Sequence, residues 1–175
     1  MNRPLVIRPF ELAYASCVWL LLLVLTGDAA TRTPFSVPLR FGSDKSVDFV
    51  VDIARHRYYQ IDLVFPFKGE EQRPAAKKLA GEPTGICKSL NECGVTPSFL
   101  VTIRRGGDVV LREEKTPVGI YAHGSNEFCR MIVTTPLKPA HYDITVEVIS
   151  SPAELAGYGA LIQFTTYPKA SDLRN

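Results

Sequence analysis

The sequence predicts an all-β, mainly antiparallel fold: an immunoglobulin-like or related β-sandwich of about seven or eight strands with one short inserted helix. Three observations carry that reading. Several segments alternate apolar and polar residues with a period of two, which sends one side-chain set to a buried face and the other to water. Glycine or proline separates most of them, at spacings too short for the crossover helices that parallel strands require. β-Branched and aromatic residues dominate the alternating stretches, as a pleated, half-buried surface favours.

The chain opens differently. Leu12 to Gly27 carries no charge and Val18 to Leu25 is a solid apolar block, with Arg3 and Arg8 before it and Gly27-Asp28-Ala29-Ala30 after it. Cleavage after Ala29 sets small residues where a signal peptidase needs them, so residues 1–29 read as a signal peptide and 30–175 as a single β-sandwich domain. The competing reading is an uncleaved anchor, for which the apolar block falls short of the roughly 20 residues of a spanning helix. Cys17 precedes that block, whereas a lipidated cysteine must follow it to become the new N-terminus. A periplasmic or secreted protein is expected, held at a membrane only if the segment is retained.

Strand signals dominate from Pro34 onward. Val47, Phe49, Val51 and Ile53 share a face opposite Asp48 and Asp52; Tyr59, Ile61, Leu63, Phe65 and Phe67 repeat the pattern, interleaved with Tyr58, Gln60 and Asp62. Glu70 to Leu79 is rich in helix formers, with Pro74 tolerable only in the first turn and Gly81 placed to end it. Phe99, Val101 and Ile103 alternate with Thr102 and Arg104, and Arg105-Gly106-Gly107-Asp108 supplies the turn of a hairpin into Val109 to Arg112. Phe128 to Thr134, Tyr142 to Ile149 and Ala160 to Thr166 complete the strands, and Pro152 to Gly157 predicts a short helical turn. Leu137-Lys138-Pro139-Ala140-His141-Tyr142 looks like a tyrosine corner, whose hydroxyl bonds back to nearby backbone.

Tyr58-Tyr59, Lys78-Leu79-Ala80-Gly81, Arg130-Met131-Ile132, Leu137-x-Pro139-x-x-Tyr142, Pro152-x-Glu154-Leu155-x-Gly157 and the ending Tyr167-Pro168-Lys169 occur in this order. The ordered set resembles a family of proteobacterial envelope proteins, domain of unknown function 5625. That resemblance implies a small exported β-sandwich, often a lipoprotein, with no assigned chemistry. The chain departs from the pattern in lacking a lipidation motif and in carrying Ala140 where the family favours glycine.

With 20 basic and 18 acidic side chains the formal net charge is +2, and the leader removes two of each, so no nucleic-acid partner is indicated. An oxidising compartment favours pairing among Cys87, Cys93 and Cys129. Cys87 with Cys93 is the expected disulfide, closing a short loop and leaving Cys129 as a buried strand thiol; the rival pairing joins one of the first two to Cys129. A catalytic thiol needs a depressed pKa and a neighbouring base, and neither is visible. His56, His123 and His141 lie in separate segments without metal-ligand spacing, so neither a metal nor a cofactor is expected. Gly81 to Ser89 mimics a phosphate loop with its lysine misplaced, and His123-Gly124-Ser125 reads as a hairpin tip.

No enzyme is expected. Arg55 and Arg57 beside Tyr58 and Tyr59 form the candidate binding surface, a mixture suited to an acidic partner or a glycan. The primary reading is a non-enzymatic protein-binding module of the cell envelope, such as a periplasmic immunity or inhibitor protein. The alternative is a carbohydrate or envelope-ligand binding module.

Overall fold

The computed structural model describes residues 34–89 and 92–167; the expected leader, with Cys17, lies outside them. The described elements are β1 (Phe35–Arg40), β2 (Ser46–Ile53), β3 (Arg57–Pro66), α1 (Arg73–Ala80), β4 (Ser98–Arg105), β5 (Asp108–Lys115), β6 (Ala122–His123), β7 (Glu127–Leu137), β8 (Ala140–Ser150) and β9 (Gly159–Thr166). A 3₁₀ turn at Ala153–Leu155 occupies the segment where a helical turn is expected. Two antiparallel sheets face each other, ordered β1-β9-β3-β7-β6 and β2-β8-β4-β5. The predicted β-sandwich is therefore present, and its connectivity is the related kind, not the immunoglobulin one. Pairing is nested: β1 with β9, β2 with β8, β3 with β7, and β4 with β5. Such a chain is one long hairpin rolled up so that successive strand pairs fall in opposite sheets, the arrangement of a jelly roll.

Local chemistry explains the elements. Gly106 and Gly107, both at positive φ, make the two-residue turn between β4 and β5. Pro38 sits in β1, an edge strand, where a missing N–H costs least. The helix expected from Glu70 begins at Arg73, because Pro74 fits only a first turn. Tyr142 does form the expected corner, its hydroxyl donating to the Lys138 carbonyl at 3.0 Å, and Tyr59 makes a second one to Arg55, also at 3.0 Å. Between the sheets lie the alternate residues of every long strand, among them Tyr59 stacked on Phe164 at 5.4 Å and Phe41 near Phe99.

One inward position of β7 breaks the apolar pattern. Arg130 follows Phe128 and precedes Ile132 on the buried face and is itself fully buried. Its guanidinium lies 5.3 Å from the Phe65 ring centroid and donates to backbone carbonyls alone. Nε reaches Ala80 at 2.7 Å; Nη2 reaches Leu79 at 2.8 Å and also Ala80 and Cys93; Nη1 reaches Val95 and, at 3.3 Å, Pro117. Leu79 and Ala80 end α1, where carbonyls have no intrahelical donor and a cation is favoured. Burial pulls the guanidinium down to about 10, so it stays charged at neutral pH.

This contact ties the end of α1 to residues 93–95. Gly81 (φ +83°) and Gly94 (φ +80°) cross there so closely that a Cβ on Gly94 would meet Arg130 Nη2 at 2.1 Å, and one on Gly81 the Cys93 carbonyl carbon at 2.2 Å. Cys87 and Cys93 form the expected disulfide, and Cys129 is free and buried.

Arg130→Leu strands several buried carbonyls and is expected to cost about 3 kcal/mol or more, read as a lowered urea midpoint at unchanged slope. Arg130→Lys does not rescue it, because an ammonium cannot span carbonyls arrayed around a planar fork. Replacing Cys87 and Cys93 together by serine is expected to cost about 2 kcal/mol by the same assay, since the closed loop is short.

Candidate functional site

The outward faces of the two sheets differ in kind. On the four-stranded sheet, Asp48, Asp52, Arg104, Arg112, Asp143 and Glu147 are all exposed, a surface dense in charge with Val50, Val110 and Ile149 exposed among it. On the five-stranded sheet the outward positions of β3 are Tyr58, Gln60, Asp62 and Val64, with Cys129 and Met131 beside them on β7 and Leu161 and Gln163 on β9. Only Asp62 in that set is charged, with Glu127 at the start of β7 on the same face. Tyr58 and Met131 are 37% and 39% exposed, whereas Gln60, Asp62, Val64 and Cys129 are buried although they face away from the core.

Tyr121 reaches this centre from the segment before β6, and its position is inherited from Arg130. Segment 81–97 is hydrogen-bonded to the next passing stretch: Thr84 N–H donates to the Ile120 carbonyl at 2.9 Å and Ile120 N–H to Glu82 at 3.0 Å. Tyr121 N–H then donates to Cys129 on β7 at 3.0 Å. The phenol thereby lands on β3, its hydroxyl donating to Asp62 Oδ2 at 3.0 Å and accepting from Gln60 Nε2. Gln60 Nε2 also donates to Asp62 Oδ2, at 2.7 Å.

The cluster is half satisfied. Asp62 Oδ2 accepts two hydrogen bonds, while Asp62 Oδ1 and Gln60 Oε1 are buried with no partner. Burial pushes the Asp62 carboxyl up to about 6; the bonds from Gln60 and Tyr121 oppose that, and the nearby charge of Glu127 adds to it. Burial, together with the charge of Asp62, also raises the Tyr121 phenol. Burial raises the Cys129 thiol to about 12, with Glu127 and Asp62 contributing, which is the reverse of an activated thiol.

Of the residues singled out in the sequence, the structure keeps only part together. Arg55 is exposed ahead of β3 and supplies the carbonyl bonded by Tyr59, and Arg57 is half-buried at the strand start. Tyr58 is on the outward face, but Tyr59 points the other way, 5% exposed in the core, so the four do not make one surface. Among the described residues no group of three or more His, Cys, Asp or Glu is placed to hold a metal ion. His141 faces Asp52 at 3.6 Å on the charged sheet. Tyr121, Met131 and the Asp62–Gln60 pair escaped the sequence reading; its one available signal was a carboxylate inside the most apolar strand. A groove of about 660 Å³ beside α1, lined by Ala75, Lys78, Leu79, Val95 and Glu154 among others, carries no such unpartnered buried atom.

A family model described as Domain of unknown function (DUF5625) matches residues 33–166. The chain belongs to that family. A crystal structure of a protein from Sulfurospirillum deleyianum is similar to this family member, with a TM-score of 0.60 at 16% identity, covering 79% of this chain and 100% of its own. At that identity the likeness concerns the fold. The search of curated proteins returns no match. Among the described residues of this member of the family, no helix is long and apolar enough to cross a membrane.

Because the folded state disfavours the Asp62 carboxylate, the fold binds this proton more tightly than the unfolded chain does. Its contribution to stability is thus fully present below about pH 4 and is lost as pH rises from about 4 through about 6, by about 3 kcal/mol in all. Urea unfolding at pH 4.5 and 7.5 is expected to show this loss in the wild type and a flatter profile in Asp62→Asn.

Proposed function

We propose that this chain is a non-enzymatic protein-binding module that works outside the cytoplasm, in the manner of an immunity or inhibitor protein, and that it binds through the outward face of the five-stranded sheet. The observation that supports this most is the composition of that face. Charge is depleted at its centre while Tyr58, Tyr121 and Met131 stand exposed around it, the residue pattern of protein interfaces, whereas the opposite sheet sets its exposed aliphatic side chains among many charges. The face is also built on paired strands, with Tyr121 held to β7 through its backbone, and such preorganisation lowers the entropic cost of docking. The Cys87–Cys93 bond is compatible with an oxidising compartment.

A carbohydrate reading draws on one specific feature, the exposed rings of Tyr58 and Tyr121 on the same face. The two are separated by what the face binds. With the product of an adjacent gene as partner, Tyr58→Ala and Met131→Ala are each expected to weaken the complex by about 5- to 30-fold in calorimetry, about 1–2 kcal/mol, while Arg112→Ala on the other sheet leaves it unchanged. Loss of protection by Tyr58→Ala in a toxin co-expression assay supports the immunity version. Protein binding unmoved by either substitution overturns the proposal, and glycan-array binding abolished by Tyr58→Ala replaces it.

A further inference from the structure

A buried acceptor without a donor is costly, and here two occur side by side. Asp62 Oδ1 and Gln60 Oε1 belong to residues 0% and 2% exposed, and neither atom has a partner. Nothing local completes them. The amide nitrogen of Gln60 is already engaged with Asp62 Oδ2 and Tyr121, and the Tyr121 hydroxyl proton is given to the same Oδ2. Across β9 the neighbour of Asp62 is Gln163, whose nitrogen donates to Ser36 at 3.3 Å; across β7 it is Met131, which has no donor to offer. What the pair lacks is a hydrogen-bond donor, and a carboxylate bonds a cationic donor more strongly than a neutral one. The surroundings also call for a cation, since Glu127 and Asp62 are both acidic and, among the described residues, no arginine or lysine is ion-paired with either.

We propose that Asp62 and Gln60, beneath Tyr121, form a receptor for a primary ammonium group, presented as a lysine side chain by the partner that docks on this face. The proposal rests on the protein-binding reading for its occupant and on the orphaned oxygens for its chemistry. An ammonium suits the site better than a guanidinium: it is a compact point charge with rotatable donors, and the oxygens are too enclosed to face a planar fork. The way in is past Tyr121, which is 38% exposed and whose hydroxyl, among the described residues, bonds Asp62 and Gln60. Rotation of that side chain uncovers the oxygens, and the aromatic ring then flanks the incoming alkyl chain and its charge.

Ionised Asp62 is required, so the receptor is sensitive to pH. The groups facing Asp62 are Gln60 on its own strand, Tyr121 from the segment before β6, and Glu127 and Cys129 on β7. Tyr121 and Cys129 stay protonated well above neutrality, so between pH 5 and 8 Asp62 sets the response.

The test is a titration of the purified protein with n-butylammonium chloride, followed through the Gln60 side-chain amide and the Tyr121 ring by NMR. Tetramethylammonium, equally charged but without N–H donors, is the control. Saturable shifts at both groups are expected with n-butylammonium, at a millimolar Kd, about tenfold weaker at pH 5 than at pH 8 and lost in Asp62→Asn. Tyr121→Phe, which keeps the ring, is expected to retain the response. Equal shifts with tetramethylammonium, no shift at Gln60, full binding by Asp62→Asn, or displacement of n-butylammonium by calcium chloride each overturn the receptor. If n-butylammonium fails while Tyr58→Ala still weakens the partner, the receptor alone falls; if Tyr58→Ala and Met131→Ala have no effect on the partner, the docking face falls and takes the lysine occupant with it.

Discussion

A guanidinium sealed in a β-sandwich core, bonded to five backbone carbonyls and to no carboxylate, holds this molecule's irregular parts to its regular ones. A jelly roll organises itself through strand pairing, but an inserted helix and a long loop have no ladder to join. Arg130 supplies the missing donors from inside the sheet. It closes the end of α1, holds the crossing of Gly81 and Gly94, and through segment 81–97 sets the path of residues 117–121. Removing that one side chain leaves carbonyls from three separate stretches without partners. Tyr121, whose phenol defines the candidate site, is downstream of all of it.

The nested pairing accounts for where the site is. β3 sits mid-sheet, bonded to β7 on one side and β9 on the other, so Asp62 is flanked by strands and cannot turn to solvent along an edge. The irregularity between Ile61 and Asp62 in the β3–β7 register falls at the same place, and bulges commonly re-aim a side chain beside a functional surface. A central place alone does not bury a carboxylate, since Asp143 on the equally central β8 is exposed; what distinguishes Asp62 is the Tyr121 side chain laid over it. The same topology joins residues far apart in the chain, β1 to β9 and β2 to β8, which implies high contact order and slow folding.

Much of this was legible in the residues, and the limits have a physical cause. Period-two alternation exposes strands because it reports burial on one face, so β2, β4, β7, β8 and β9 follow from sequence, as does the Gly106-Gly107 turn. The Cys87–Cys93 pairing follows from spacing, and the Tyr142 corner from its neighbours. Alternation does not report partners, so an immunoglobulin-like and a jelly-roll connectivity look alike. Nor does it distinguish an outward residue in water from an outward residue that is covered. The candidate surface groups Tyr58 with Tyr59, although the alternation of β3 already sets the two on opposite faces, and Tyr59 is buried where Tyr58 is exposed. Gln60 and Asp62 looked like the wet face of β3, and only the contact with Tyr121, about sixty positions away, shows otherwise.

Arg130 and Asp62, the two buried charged side chains among the described residues, make the clearest physical contrast in the domain. Arg130 spends every donor on a carbonyl; such a charge is structural, because nothing is left over for a ligand to satisfy. Asp62 has one oxygen doubly bonded and the other bare, beside a bare amide oxygen, and neither bare atom is exposed. Evolution toward stability alone would remove such a carboxylate, since an apolar residue or an asparagine avoids the burial of a half-paired charge. A half-satisfied group in the middle of an otherwise well-packed sheet is thus informative in a way the satisfied one is not. The donor that would complete it is not supplied by the described residues, and the charge-poor, aromatic-rimmed face around it is where a partner can bring one.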